Sequence, residues 1–177
     1  IEPGGDHAGE RDMRRAEAAL DGVQDHPDET AAIAGALLDG HLGELSETVV
    51  LALFALAAQH VGVPSTAISP AYSLMSRDFD KLRSMVSLLE PGAIYVSAMK
   101  PFAAALAAIE PLHSAMIVSG DVADTGGISF RSIATTPETP DVAKAFAAVT
   151  PDTIAKFLFT SGSTGTPKAV INTQRML

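Results

Sequence analysis

The chain has 177 residues, which suits one domain of ordinary size that can bury a core. Apolar residues make up 47% and charged residues 19%, a balance that argues against global disorder. A net charge of -9 argues against a general electrostatic grip on nucleic acid or anionic lipid, and zero cysteines exclude disulfides, thiolate zinc sites and a thiol nucleophile.

Taken in chain order, residues 1–10 are Gly-rich and charged; they read as a loose end and lack the apolar stretch of a signal peptide. A short helix is predicted over 11–20 and a better one over 31–38, entered from the acidic "HPDET". "SETVVLALFALAAQHVG" is the clearest helix: Ser46 is placed to cap it, Glu47 suits its positive end, and Gly62 stops it. It is apolar on every side over 49–58, which predicts packing from more than one direction. That run is well short of the ~20 residues needed to cross a bilayer, so no membrane span and a cytoplasmic location are expected.

From there strands and helices alternate. A short apolar run over 63–68 leads into "SPAYSL", where Tyr72 is expected to pack rather than to cap a pocket. An amphipathic helix over 78–89 is stopped by Pro91-Gly92, and a strand over 93–97 precedes an Ala-rich helix over 101–109. A strand over 115–119 runs into "GDVADTGG", read as a turn, since Asp121 and Asp124 lack the spaced oxygen ligands of a calcium loop. A strand near 129–133 follows, then Thr139-Pro140-Asp141 as a helix start, a helix over 142–149 and a strand over 154–159. The alternation predicts the α/β class, with a mainly parallel sheet and helices on both faces. In such sheets ligands collect at the carboxyl ends of strands. His7, His26, His41, His60 and His113 are scattered without metal-ligand spacing, and no metal site is predicted.

The last strand delivers "TSGSTGTPK" at such an end. Gly162 and Gly165 let the backbone fold tightly and approach a ligand, and successive N–H groups in such a turn can enclose an anion. Thr160, Ser161, Ser163, Thr164 and Thr166 add hydroxyl donors, and Lys168 adds a positive charge. The sum suits polyphosphate. It is not the GxxxxGK[ST] loop, because Pro167 precedes the lysine and Ala169 follows it, nor is it a GxSxG serine elbow.

"FTSGSTGTPKAV" resembles the signature phosphate loop of the adenylate-forming ligases, the acyl- and aryl-CoA synthetase superfamily. Within it, "ISPAYSLMSRDFDKLRSMVSLLEPG" and "KFLFTSGSTGTPKAVINTQRML" are similar to the feruloyl-CoA synthetase group. The resemblance runs from about residue 51 onward and is weakest through "GDVADTGG". It implies a partial N-terminal subdomain of the ligase fold and a two-step reaction. A carboxylate attacks the α-phosphate of ATP to give an acyl-adenylate and pyrophosphate, and the thiol of CoA then displaces AMP. The implied cofactors are ATP, Mg²⁺ and CoA, the last two without sites in this stretch, and the implied substrate is ferulate or another hydroxycinnamate. The implied phosphate-binding residues are Thr160, Ser161, Gly162, Ser163, Thr164, Gly165, Thr166 and Lys168, with Lys168 and Thr164 as the catalytic candidates.

The chain departs from the family in three places. Ala169 stands where the wider superfamily has Gly, and "LLDGHLGELSETVV" lacks the strand and Asn-containing turn that the family places before its buried helix. Residues 1–45 are therefore expected to be a poorly matched segment, and 46–177 an incomplete AMP-binding domain ending just after the phosphate loop. The family's adenine and acyl pockets, its Mg²⁺-holding Glu, ribose-gripping acid, hinge and C-terminal Lys come later than the point matching Leu177. The polypeptide as it stands is expected to be inactive, since positioning supplies much of the rate in such chemistry. Two other readings suit the same residues: a non-catalytic module that binds a nucleotide phosphate, and a truncated relic that does not fold alone.

Overall fold

The computed structural model describes residues 47–121, 123–160 and 167–177. The helices expected over 11–20 and 31–38, the Ser46 cap and loop residues 161–166 lie outside the described residues. Helix α1 (Glu47–His60) ends where the sequence places its stop. Gly62 adopts φ +81°, which a side chain would resist. Its N–H donates to the Gln59 carbonyl at 3.2 Å while the Val63 N–H reaches the Ala58 carbonyl at 2.9 Å, the paired bonds of a Schellman cap.

A two-residue strand β1 (Ser65–Thr66) follows, then a single π-helical turn (Ala71–Met75) and helix α2 (Asp80–Leu89). Next come β2 (Ala93–Val96), α3 (Met99–Ile109), β3 (Met116–Ser119) and β4 (Ile128–Ser129). Helices α4 (Phe130–Ala134) and α5 (Pro140–Ala148) lead to β5 (Ile154–Thr160) and β6 (Lys168–Thr173). No helix among the described residues is long and apolar enough to cross a membrane.

The α/β class with mainly parallel pairing is borne out, with the strands of the described residues divided between two three-stranded sheets ordered β1-β5-β6 and β2-β3-β4. β1 runs parallel to β5, β2 to β3 and β3 to β4, whereas β5 and β6 form an antiparallel hairpin. Side-chain alternation along β2 explains the layering of the second sheet. Ile94 points into a cluster with Leu82, Val86, Ala105 and Ile109 of α2 and α3. Its neighbour Tyr95 points the other way, against Val50, Leu53 and Phe54 of α1 and Phe130 of α4. Phe54, Tyr95 and Phe130 form an aromatic trio with ring centroids 5.7 to 6.4 Å apart.

Helix α1 touches two clusters, the aromatic one and a second in which Ala57 and Val61 meet Val142 of α5. Both lie along one face, so the packing from more than one direction that its all-round apolarity predicts is not seen among the described residues. Val49, Leu51 and Leu56 on its remaining side are exposed. The first sheet is anchored by Ile154 and Phe157 of β5 against Leu89 of α2, with Phe159, Ala169 and Ile171 beside them. Burying one such aromatic side chain is worth roughly 1.5–3 kcal/mol.

The segment expected as a strand near 129–133 is a two-residue strand followed by helix α4. Ser129 acts as an N-cap, its hydroxyl accepting the Ser132 N–H at 3.1 Å. Phe130, Ile133 and Ala134 then recur at helical spacing and are all buried against Val118.

Candidate active site

The hairpin fixes where the Ser-, Thr- and Gly-rich loop begins and ends. Along β5, Phe157 and Phe159 face the core while Leu158 and Thr160 face outward, and β6 answers in register with Leu158 opposite Val170 and Thr160 opposite Lys168. One extra residue between Ile154 and Lys156 shifts the register at the far end, which leaves both Ile154 and Phe157 turned inward. Thr160 and Lys168 therefore stand side by side at the loop end of the hairpin, both exposed. The Thr160 hydroxyl donates to the Lys168 carbonyl at 3.5 Å, the outer limit of a hydrogen bond. Of the loop residues singled out from sequence, these two are brought together. Ser161, Gly162, Ser163, Thr164, Gly165 and Thr166 lie outside the described residues.

Beside Pro167 opens a cleft of about 580 Å³. Pro167, the last residue before β6, forms one side; the other comes from the π-helical turn and the start of α2, including Tyr72, Met75, Ser76, Asp78 and Lys81. The sequence reading expected Tyr72 to pack, whereas its half-buried side chain lines this cleft. Sequence reasoning did not single out Ser76, Asp78 or Lys81, although all three fall within the stretch that resembles the ligase family.

The cleft wall is built with some strain. Phe79 sits at φ 57°, in the left-handed region, immediately before α2. A set of hydrogen bonds holds it there. The Ser76 hydroxyl accepts the Phe79 N–H at 3.1 Å and donates to the Asp78 carboxylate at 3.1 Å, which also accepts the Asp80 N–H at 3.3 Å. The Asp80 N–H, and after it the Ser76 hydroxyl, holds the Asp78 carboxyl below the usual carboxylate range. From the next turn of α2, Arg83 donates through Nη1 to the Asp78 carbonyl at 3.2 Å and through Nε to the Ala108 carbonyl of α3 at 3.1 Å. The same Nη1 lies 3.5 Å from the Asp80 carboxylate. The Phe79 ring is pinned in the α2–α3 cluster. A backbone conformation of this kind persists only where its surroundings over-determine it.

The turn "GDVADTGG" proves to be a structural tie. The Asp124 carboxylate accepts the Met99 N–H at 2.7 Å, capping α3 from another segment, and also accepts the hydroxyl of the fully buried Ser119. Asp121 supports the same turn, its carboxylate accepting the Ala123 N–H at 2.9 Å. Gly120 is needed because a Cβ there would lie 2.6 Å from the Tyr95 hydroxyl and 2.9 Å from the Ser97 carbonyl.

A family model described as "AMP-binding enzyme" matches residues 45–177. Among solved structures the chain is similar to the luciferase-like enzyme from the nonluminescent Zophobas morio mealworm, with 20% identity and a TM-score of 0.59, over 84% of this chain and 35% of that one. It is similar also to a natural red emitting luciferase from Phrixothrix hirtus, with 14% identity and a TM-score of 0.56, over 91% of this chain and 45% of that one. At these identities the likeness shows the fold, and the chain spans less than half the length of either structure. No curated protein gives a significant match.

Proposed function

The chain belongs to the AMP-binding enzyme family, and on that premise we propose that it supplies the phosphate-loop part of an adenylate-forming ligase. In the reaction proposed, a carboxylate oxygen attacks the α-phosphorus of ATP, the bond to the β-phosphate breaks and pyrophosphate leaves. The thiol sulfur of CoA then attacks the acyl carbon, the thiol proton is lost and AMP departs. Ferulate or another hydroxycinnamate is the acid we propose, on the resemblance of residues 68–92 and 156–177 to the feruloyl-CoA synthetase group. Residues 46–177 form the part of the domain concerned, and 1–45 a separate, poorly matched segment.

One observation carries this reading: a loop rich in hydroxyls and glycine, hung between Thr160 and Lys168 at the carboxyl end of β5, a strand parallel to β1. Charge develops on the departing pyrophosphate. Donors fixed before the reaction stabilise it most when aimed at that charge, and the Lys168 ammonium with the loop hydroxyls from Thr160 to Thr166 are assigned that role. Among the described residues no group of three His, Cys, Asp or Glu side chains could hold a metal ion. Mg²⁺ arriving with ATP would be held chiefly by triphosphate oxygens, where it shields their charge.

The test is ATP–pyrophosphate exchange by the native protein that carries this chain. Exchange should require an added hydroxycinnamate and fall about a hundredfold in Lys168→Ala. Exchange supported only by fatty or small acids moves the substrate class. A folded protein that exchanges with no acid sinks the proposal.

A further inference from the structure

We propose that the exposed side of α1 is a docking face within the chain, and that its occupant is the apolar segment 31–38, laid antiparallel to the helix. Residues 31–38 lie outside the described residues, and their sequence is what recommends them. The docking is independent of the proposed function.

The face comes first. Val50, Leu53, Phe54, Ala57 and Val61 all turn to one side of α1, into its two clusters. At about 100° per residue, Val49, Ala52 and Leu56 fall on another side, as a stripe at i, i+3 and i+7. All three are exposed, Leu56 by 56%. A helix side that faces water ordinarily carries polar or charged residues, whereas 49–58 contains none. The spacing of the stripe is that of a seam onto which a second helix packs.

The occupant follows from the chain that leads into α1. Within residues 1–46, "AAIAGALL" (31–38) is the one run of eight without a polar or charged side chain. It matches the stripe in length, since eight residues of helix span about 12 Å, as do 49–56. Ile33 and Leu37 stand at i and i+4, with Ala34 and Leu38 beside them. The connection 39–46 includes Gly40 and Gly43 and is short, as suits antiparallel helix neighbours. Extended, it reaches up to ~26 Å, well beyond the ~8–10 Å between packed helix axes. Laid this way, Leu38 comes beside Val49 and Ala31 beside Leu56. So short a tether gives the segment a high effective concentration at the face, which a second copy of the chain lacks. The family match begins at residue 45, so this contact lies outside what the family supplies.

The chain holds no cysteine, so introduced pairs report the contact directly. In the native protein that carries this chain, Leu38→Cys with Val49→Cys should form a disulfide on mild oxidation, identified by mass after digestion. Docking brings those two Cα atoms within the ~7 Å that a disulfide spans. Leu38→Cys with Leu56→Cys, ~10 Å further along α1, should stay reduced. Leu56→Asp and Ile33→Asp should each lower the urea midpoint, and together lower it by less than the sum, because both break one contact. Failure of the 38–49 disulfide, equal trapping at 56, or a bond that joins two chains overturns the inference. A midpoint unchanged in Leu56→Asp, as expected of a face in water, overturns it as well.

Discussion

His113 accepts the Ala115 N–H at Nδ1, at 3.0 Å, so its neutral ring carries the proton on Nε2, which is buried without a partner among the described residues. Burial disfavours the charged ring and lowers its pKa below the usual 6.5, with Glu110 acting weakly in the opposite sense. The sign follows from linkage. As pH falls below 6.5 the unfolded chain takes up this proton before the folded one does, so the stability present above 6.5 is lost as pH falls through the lowered folded value. Urea midpoints measured on either side of 6.5 should show this loss, and His113→Asn, whose oxygen can accept the Ala115 N–H, should flatten it. An unchanged pH slope in His113→Asn would remove His113 as the cause. Asp124 gives a second prediction at this scale. Asp124→Ala strands the Ser119 hydroxyl and the Met99 N–H, so it should cost about 2–3 kcal/mol in denaturant unfolding, and Asp124→Asn less.

At the scale of elements, helix ends matter more than helix middles. α2 closes with Glu90 at φ 43°, a left-handed position whose N–H donates to the Val86 carbonyl at 2.9 Å. Such a conformation costs a side-chain-bearing residue roughly 1–2 kcal/mol, and glycine's extra freedom in the unfolded chain returns part of that. Glu90→Gly should therefore raise stability by about 0.5–1 kcal/mol, read as a higher urea midpoint at constant slope. These elements also mark what the sequence made legible. α1, α2, α3 and α5 and strands β2, β3 and β5 were readable because each carries a periodic or apolar run beside strong stops such as Gly62 and Pro91-Gly92. The stretch at Phe130 was not, because three apolar residues between short polar ones suit a strand and a helix equally until Ser129 is seen to cap it. Asp124 was unreadable as a cap for another reason: the helix it caps lies earlier in the chain.

For the whole molecule, the loop and the strand that delivers it could be read from one contiguous motif, whereas the cleft at Pro167 could not. Its walls come from Tyr72–Ser84 and from Pro167, which are brought near one another only when the far-separated β1 and β5 pair in parallel. The division into two sheets is hidden in the sequence for the same reason, since pairing partners are set by packing of Ile94 and Tyr95 on opposite faces rather than by local pattern. The account's central claim is chemical: attack by a carboxylate oxygen on the α-phosphorus of ATP. The native protein, incubated with ATP and a hydroxycinnamate whose carboxylate carries heavy oxygen, tests it most directly when the AMP released is analysed by mass. The account predicts one heavy oxygen transferred to AMP for each acid activated. AMP without heavy oxygen, or label appearing in inorganic phosphate instead, would contradict it.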